Sequence, residues 1–436
     1  MDKSRRVPLV FLPAVLVAIL LVAVVTLVRL TGGSTGKPAA GSPSPAAAES
    51  PPPAAAESPS PAVRVAGVRD LWPQALIDLP DTVPDLHMLN TLDATRVLLH
   101  DETSTLIKVY DTATGRLSDF TSLPELAADS STLCHTWVGG DQVVFDVLVD
   151  EFQRHRLWTV PLSGGQPVEV PFDDPEAIFD SAEIATGHLV RSDRGAVYRL
   201  PLPGGGTPQP VPGSEGLTPV GWPWASDLPA YPGILDEYVA LGSDYDLFSI
   251  SAGEEATDLT IATASAVPET ASPTPAPIPS ATKVVNLETG EVRPVTPAPG
   301  VQGLRCGPDL CYGENQQNRM VTTGLDGRDL VELPLTPIFT GNEPPGSRFI
   351  AVAALPPGEA TSSVPVRWTR LLAPSTDLYV YDTQTRTLAV AHQSGEGVGT
   401  VICFPGTSGW RTGDLVHWST DPDDLTFREG VNLKAV

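Results

Sequence analysis

Leu106-Ile-Lys-Val-Tyr-Asp-Thr-Ala-Thr-Gly-Arg-Leu-Ser-Asp-Phe120 reads as a strand, a tight turn and a second strand. Asp111 can accept backbone hydrogens two residues on, and Gly115 tolerates positive φ, so the pair marks the turn. The flanking runs have the length and the β-branched and aromatic content of strands. Function is far less legible than fold in this chain.

Aligning turns on their glycine brings out copies. Asp111 precedes Gly115 by four, and the same spacing joins Pro161 to Gly165, Pro201 to Gly205, Asn286 to Gly290 and Thr323 to Gly327; Asp382 and Arg386 form a sixth copy without Gly. An apolar or aromatic run precedes each turn: Ile107–Tyr110, Leu157–Val160, Val197–Leu200, Lys283–Val285, Arg319–Thr322 and Leu378–Tyr381. Several second strands close on an apolar residue followed by Pro (Leu123-Pro124, Val170-Pro171, Val211-Pro212, Leu333-Pro334). Proline cannot donate to a ladder, so it belongs at strand ends or sheet edges. The same ending appears once too early, at Leu76-Ile-Asp-Leu-Pro80, before the first full unit. At the other end of the chain Thr400–Phe404, Leu415–Trp418 and Leu425–Phe427 are strand-like and lack a fourth strand. The early strand is therefore expected to complete the last sheet, which closes a ring without an open edge. Six units plus one composite unit give seven; six or eight are also compatible, because 214–250 and 341–377 are poorly periodic. One interval is long because it holds a Pro/Ala/Ser/Thr-rich insertion, 262–281, read as a disordered loop.

Leu157-Trp-Thr-Val-Pro-Leu-Ser-Gly-Gly165 and Val197-Tyr-Arg-Leu-Pro-Leu-Pro-Gly-Gly205 resemble the third-strand turns of TolB-like propeller repeats. Val109-Tyr-Asp-Thr-Ala-Thr-Gly115 and Val284-Val-Asn-Leu-Glu-Thr-Gly290 are similar to WD40-like and quinoprotein-type repeats. The resemblance covers about residues 65–436 and implies an all-β propeller of four-stranded antiparallel blades, of the kind seen in exported actinobacterial proteins. The Ser-Pro-Asp-Gly turn usual between the first two strands of TolB-like repeats is missing.

The N-terminus bears on location. Lys3, Arg5 and Arg6 stand in a short tip, 1–6, ahead of an uncharged apolar run from Val7 to Val28. Such a run is long enough to cross about 30 Å of hydrocarbon as a helix. It exceeds the apolar core of a cleavable signal peptide, so 7–29 is expected to be an uncleaved transmembrane signal-anchor helix. The basic tip is then cytoplasmic and the C-terminal domain extracytoplasmic, in a single-pass cell-membrane protein. Residues 30–62 are Pro/Ala/Ser-rich with nothing to bury, as expected of a disordered stalk. The propeller occupies 63–436. A formal net charge of −25 excludes a nucleic-acid partner and reads as solubility of an exposed domain.

Four cysteines in an exported domain suggest disulfides more than metal. Cys306-Gly-Pro-Asp-Leu-Cys311 is a possible clamp on a small loop; Cys134 and Cys403 either pair or are buried thiols. Gly32-Gly-Ser-Thr-Gly36 matches a hydrolase elbow by letters alone, outside any strand-turn-helix context. There is no His-Glu-x-x-His, and Asp244-Tyr-Asp246 and Asp421-Pro-Asp-Asp424 lack the rest of a calcium loop. No catalytic residue, metal ligand or cofactor is expected. His135 and His417, on or beside strands, read as hydrogen-bonded structural residues. Trp222 and Trp224, two apart, would share one face of a strand. With Tyr231 and Trp410 they are the candidate binding residues, either a recognition patch or packing between blades. The expected function is a membrane-tethered, non-catalytic binding or scaffold module for an extracytoplasmic protein, peptide or glycan. The alternative is a channel-centred enzyme of lactonase, lyase or quinone-dependent dehydrogenase type.

Overall fold

The computed structural model describes residues 63–80, 86–101, 104–127, 131–149, 154–172, 182–193, 195–228, 279–340, 347–355, 377–393, 411–418 and 429–436. They form seven sheets, each built around a blade of four antiparallel strands, consecutive in the chain in all but the last. Blade 1 is His87–Thr91, Arg96–His100, Leu106–Asp111 and Arg116–Ser122; blade 2 is Thr132–Gly139, Gln142–Val149, Arg154–Pro161 and Val168–Val170. Blade 3 is Glu183–Ala185, His188–Asp193, Ala196–Pro201 and Gln209–Pro210. Blade 4 is Thr218–Pro219, Trp224–Ser226, Lys283–Asn286 and Val292–Pro294; blade 5 is Val301–Cys306, Cys311–Asn315, Met320–Thr323 and Val331–Glu332. Blade 6 is Thr336–Thr340, Phe349–Leu355, Asp377–Asp382 and Thr387–His392. Blade 7 joins Arg411–Thr412, Leu415–Trp418 and Glu429–Asn432 to Leu76–Asp78 from the start of the domain. The chain is a seven-bladed β-propeller.

The continuous apolar run Val143-Val-Phe-Asp-Val-Leu-Val149 shows how the blades stack. Val143, Phe145 and Val147 join one core cluster with Leu98, Ile107 and Phe120 of blade 1. Val144 joins another with Leu189 and Leu200 of blade 3. A strand buried on both faces does not alternate polar with apolar, which explains the length of these runs.

The early strand pairs as its ending suggests: Leu76, Ile77 and Asp78 lie opposite Val431, Gly430 and Glu429. The third strand of this blade is Glu429–Asn432, which starts two residues after the Leu425–Phe427 run ends; 400–404 and 425–427 lie outside the described residues. Upstream there is a second attachment that the sequence did not announce. Arg64–Gly67 adds a fifth strand to blade 6, parallel to Thr387–Val390. Between the two strands Val68, Trp72 and Ala75 are buried with Phe349, Leu378 and Val380 of blade 6 and Val416, Trp418 and Val431 of blade 7. Trp72 meets the Phe349 ring edge-on at 5.7 Å. Residues 64–78 thus form a strap across two blades.

The turn register is real in three copies as a side-chain cap. Asp111 Oδ1 accepts from Ala113 and Thr114 N–H, Asn286 Oδ1 from Glu288 and Thr289, and Asp382 Oδ1 from Gln384 and Thr385. Gly115 takes φ +66°, and Arg386 takes φ +55° where Gly is lost. The Thr323–Gly327 copy differs: there the hairpin closes between Gly324 and Arg328, with Asp326 accepting from Arg328 N–H. The glycines also have a role that spacing could not reveal. Gly165 N–H reaches Phe120 O of blade 1 at 3.0 Å, Gly206 N–H reaches Pro171 O of blade 2 at 2.6 Å, and Leu325 O accepts from Thr296 N–H at the end of blade 4 at 2.7 Å. Each of these turns docks on the outer strand of the preceding blade. A Cβ on Gly205 would stand within 3 Å of Pro171 backbone atoms, at φ +63°. Gly205→Ala is expected to cost about 3 kcal/mol or more, against about 1–2 for Gly187→Ala, whose Cβ meets nothing within 4 Å. Equal shifts of the two denaturation midpoints would refute the docking role.

The insertion in blade 4 ends earlier than composition suggests. Ser280 Oγ accepts from Leu304 N–H at 3.0 Å, and Ala281 is buried beside Val284 and Leu304. Asp227 closes the base, its carboxylate accepting from Thr282 N–H, Thr282 Oγ1 and Lys283 N–H. The remainder of 262–281, through residue 278, lies outside the described residues, as do 1–62 with the expected anchor and stalk.

Antiparallel pairing sends links between second and third strands, and links from blade to blade, toward one end of the blades. First–second and third–fourth turns occupy the other. We term these the crossing end and the turn end. Links at the turn end include the short ones at 140–141, 186–187 and 383–386.

Candidate functional site

A buried polar set lies on the face of blade 2 turned to blade 3. Asp146, with no exposed side-chain surface, stands opposite His135 in the register. His135 Nδ1 lies 3.0 Å from Asp146 Oδ2, and His155 Nδ1, from the third strand, 2.8 Å from Oδ1. An ionised carboxylate only accepts, so Nδ1 carries the proton in both rings. Three strands are thereby crosslinked through one carboxylate. Burial pushes the Asp146 carboxyl up, but the hydrogen bonds and charges of the two histidines outweigh it and hold it below the usual range. His135 also stacks on Trp137 at 5.3 Å. Across the seam Arg191 is two residues beyond Leu189 on the same strand, so it faces blade 2 as well. Its side chain is 2% exposed and donates to Asp193 Oδ2 at 3.0 Å. The sequence carried one signal for this set, the single charge at Asp146 within an apolar run.

His135 is hydrogen-bonded and largely buried, and His417 is buried within its strand. A strand bulge at Cys134 separates Leu133, packed toward blade 1, from His135, facing blade 3. Further round the ring Glu183 accepts from Trp222 N–H at 2.7 Å, and burial raises its carboxyl above the ordinary range despite that bond.

Trp222 and Trp224 do not share a face. Trp222 lies in the turn before the strand, ahead of a cis Trp222–Pro223 bond, and only Trp224 is on the strand. Trp222 packs with Val190, Val197 and Leu217 between blades 3 and 4, its Nε1 donating to Glu288 Oε1 and its ring 5.4 Å from the Arg199 guanidinium carbon. Trp224 packs the opposite way, against Val284, Leu304 and the Cys306–Cys311 pair. Arg293 lies 4.4 Å over its ring and reaches Pro308 O and Asp309. Both rings are half-buried inter-blade packing with cation–π partners. Tyr231 and Trp410 lie outside the described residues.

Cys306 and Cys311 face each other across the first hairpin of blade 5 and are disulfide-bonded. The bond closes a short loop that Arg293 also holds. Replacing both cysteines by Ala is expected to lower stability by about 2 kcal/mol, the loop-closure value for so few residues. Chemical denaturation with and without reductant measures it, and a double variant as stable as the parent would show the bond to be dispensable.

Among the described residues no group of three or more His, Cys, Asp or Glu is placed to hold a metal ion. Among them, too, no helix is long and apolar enough to cross a membrane. No protein-family model and no curated protein matches the chain. Solved structures do. The computationally designed Ika8 protein is 12% identical, with 82% of this chain and 99% of that one covered and a TM-score of 0.38. YCF48 bound to D1 peptide is 11% identical, covering 85% and 96%, TM-score 0.38. A streptogramin B lyase is 12% identical, covering 73% and 88%, TM-score 0.34. At such scores these similarities add no argument, and the fold stands on its own strand pairing.

Proposed function

We propose that the protein is a non-catalytic binding or scaffold propeller, tethered outside the cytoplasm by residues 7–29 and held off the membrane by residues 30–62. The observation that carries this reading is the fate of the polar groups chemistry would need. Asp146 spends its carboxylate on His135 and His155 inside a blade seam, and Glu183 is tied to the Trp222 backbone. They serve as crossties of a rigid ring, which suits presentation of a fixed surface. The uncharged apolar run supports the anchor, the Pro-Leu-x-Gly-Gly turns at 161–165 and 201–205 support TolB-like repeats, and the turns at 109–115 and 284–290 support WD40-like ones. The partner is an extracytoplasmic protein, peptide or glycan.

Two measurements on the full-length protein test this. Purified protein is expected to carry neither stoichiometric metal nor a visible chromophore; stoichiometric calcium or a quinone spectrum would turn the reading to a channel-centred enzyme. Alkaline extraction of membranes is expected to leave the chain in the membrane pellet with its domain open to external protease, and release into the supernatant would remove the anchor.

A further inference from the structure

The link from blade 4 to blade 5 is an exposed ridge. Val292–Pro294 is the outermost strand of blade 4, and residues 295–300 carry the chain on to the first strand of blade 5. Val292 is 56% exposed, more than any other large hydrophobic among the described residues, and Pro294, Pro297 and Pro299 are exposed after it. Single apolar residues at a surface are ordinary, but four within eight positions of one run call for a reason.

Proline fixes its own φ at about −65° and pushes the residue before it out of the helical region. Arg293-Pro294, Thr296-Pro297 and Ala298-Pro299 thereby hold six of the seven residues from 293 to 299 to extended or polyproline II backbone. Polyproline II has three residues per turn, and burial keeps that period. Val295 and Ala298 are buried, whereas Pro294 and Pro297 form one exposed row and Thr296 and Pro299 another. The segment is held from its buried side. Val295 N–H donates to Thr282 O at 2.8 Å, Thr296 N–H to Leu325 O at 2.7 Å, and Val301 N–H to Ala298 O at 3.1 Å. A Cβ on Gly327 would stand 2.7 Å from Thr296 O, so the blade 5 turn lies directly against the segment. Arg293 is engaged by Glu291, Pro308 O, Asp309 and the Trp224 ring. The link from blade 3 to blade 4 also buries every third residue, at Val211, Ser214 and Leu217. It does so by successive turns with Gly213 and Gly216 at positive φ, and it has one proline, Pro212. The proline ridge is thus not a requirement of linking blades.

From this placement we infer that Val292–Pro299 is a recognition element, and that its partner is a protein groove lined with aromatic side chains, of the kind that takes polyproline II ligands. Aromatic faces pack on proline rings, and a helix already held by the framework loses little conformational entropy on binding. The inference rests on the binding-module reading and adds to it the class of partner and the residues that meet it.

The test uses the full-length protein in detergent, with purified SH3 and WW domains as probes. A photo-crosslinking amino acid replaces Thr296, exposed within the ridge, or Gln166, exposed on a blade 2 turn. Adducts from position 296 are expected to exceed those from 166 at least about tenfold, and to fall by a similar factor when Pro297→Ala and Pro299→Ala are combined. Val292→Ser alters an exposed side chain and should lower them at least about threefold, which keeps the question answerable should the proline variant not fold. Because adducts are read at one position, proline-rich stretches elsewhere in the chain do not count toward them. No excess at 296 with either probe, or adducts that persist in either folded variant, would overturn the inference and leave the prolines as stiffeners of the link. None of these outcomes bears on metal or chromophore content, so the binding-module reading stands or falls separately.

Discussion

A chain lacking residues 64–78 is expected to lose its cooperative melt. The strap supplies the outer strand of blade 7 and the extra strand of blade 6, and it buries Val68, Trp72, Ala75 and Ile77. Removing Trp72 alone, as Trp72→Ala, is expected to cost about 3–5 kcal/mol, since it empties a site bounded by both blades. Loss of two strand pairings on top of that approaches the whole stability of a typical domain, about 5–15 kcal/mol. The closing contacts on the other side, Asn432 Nδ2 to Asp93 O and Lys434 Nζ to Thr91 O, join blade 7 to blade 1 and cannot replace a missing strand. Calorimetry decides between the two outcomes. If the shortened chain melts at the temperature of the parent in a single transition, the strap is an ornament and closure lies elsewhere. Trp72→Ala keeps the question answerable should the deletion not fold.

The second large effect concerns Asp146. Asp146→Ala deprives two half-buried imidazoles of that acceptor and leaves an empty volume beside Leu157, so about 3–5 kcal/mol should be lost. Asp146→Asn retains a carbonyl for one ring and should cost less. The acid limb supplies a sign. A carboxyl whose folded pKa is depressed contributes stability that is fully present above its unfolded value, about 3.9, and is lost as pH falls through the lower folded value. Asp382 acts in the same direction: burial pushes its carboxyl up, but the Arg348 pair and the turn hydrogen bonds outweigh it. The comparison must therefore be a difference. Stability of the parent should fall more steeply below about pH 4 than that of Asp146→Asn, and parallel curves would show that the carboxylate is not ionised in the fold.

The architecture was legible because its signals are local. Asp111, Asn286 and Asp382 each cap their own turn within three residues, and a cap of that kind is written in consecutive letters. The displaced strand at Leu76–Pro80 was legible for a related reason, since its Pro ending repeats the end of four other units. Blade 7 shows where such reading stops: Leu425–Phe427 has strand composition, yet Glu429–Asn432 takes the place, because pairing with Leu76–Asp78 and burial of Val431 against Trp72 choose the register. The tryptophans show the same limit. Spacing by two places Trp222 and Trp224 on one face only if both are in the strand, and the turn ahead of Pro223 removes the first.

Residues 106–120 and their copies pointed by themselves to a ring of antiparallel blades, most simply seven with six or eight open, and the Leu76–Pro80 ending to its point of closure, because hairpin geometry depends on side chains a few positions apart; strand pairing settled the number. Tertiary structure alone decided the rest. It placed Gly164–Gly206 turns against preceding blades, laid Arg64–Gly67 along blade 6 in parallel, and gathered His135, Asp146 and His155 around one carboxylate. Each of those depends on which faces meet when twisted sheets are closed into a circle, and separation in space, unlike spacing along the chain, is not encoded at any single stretch.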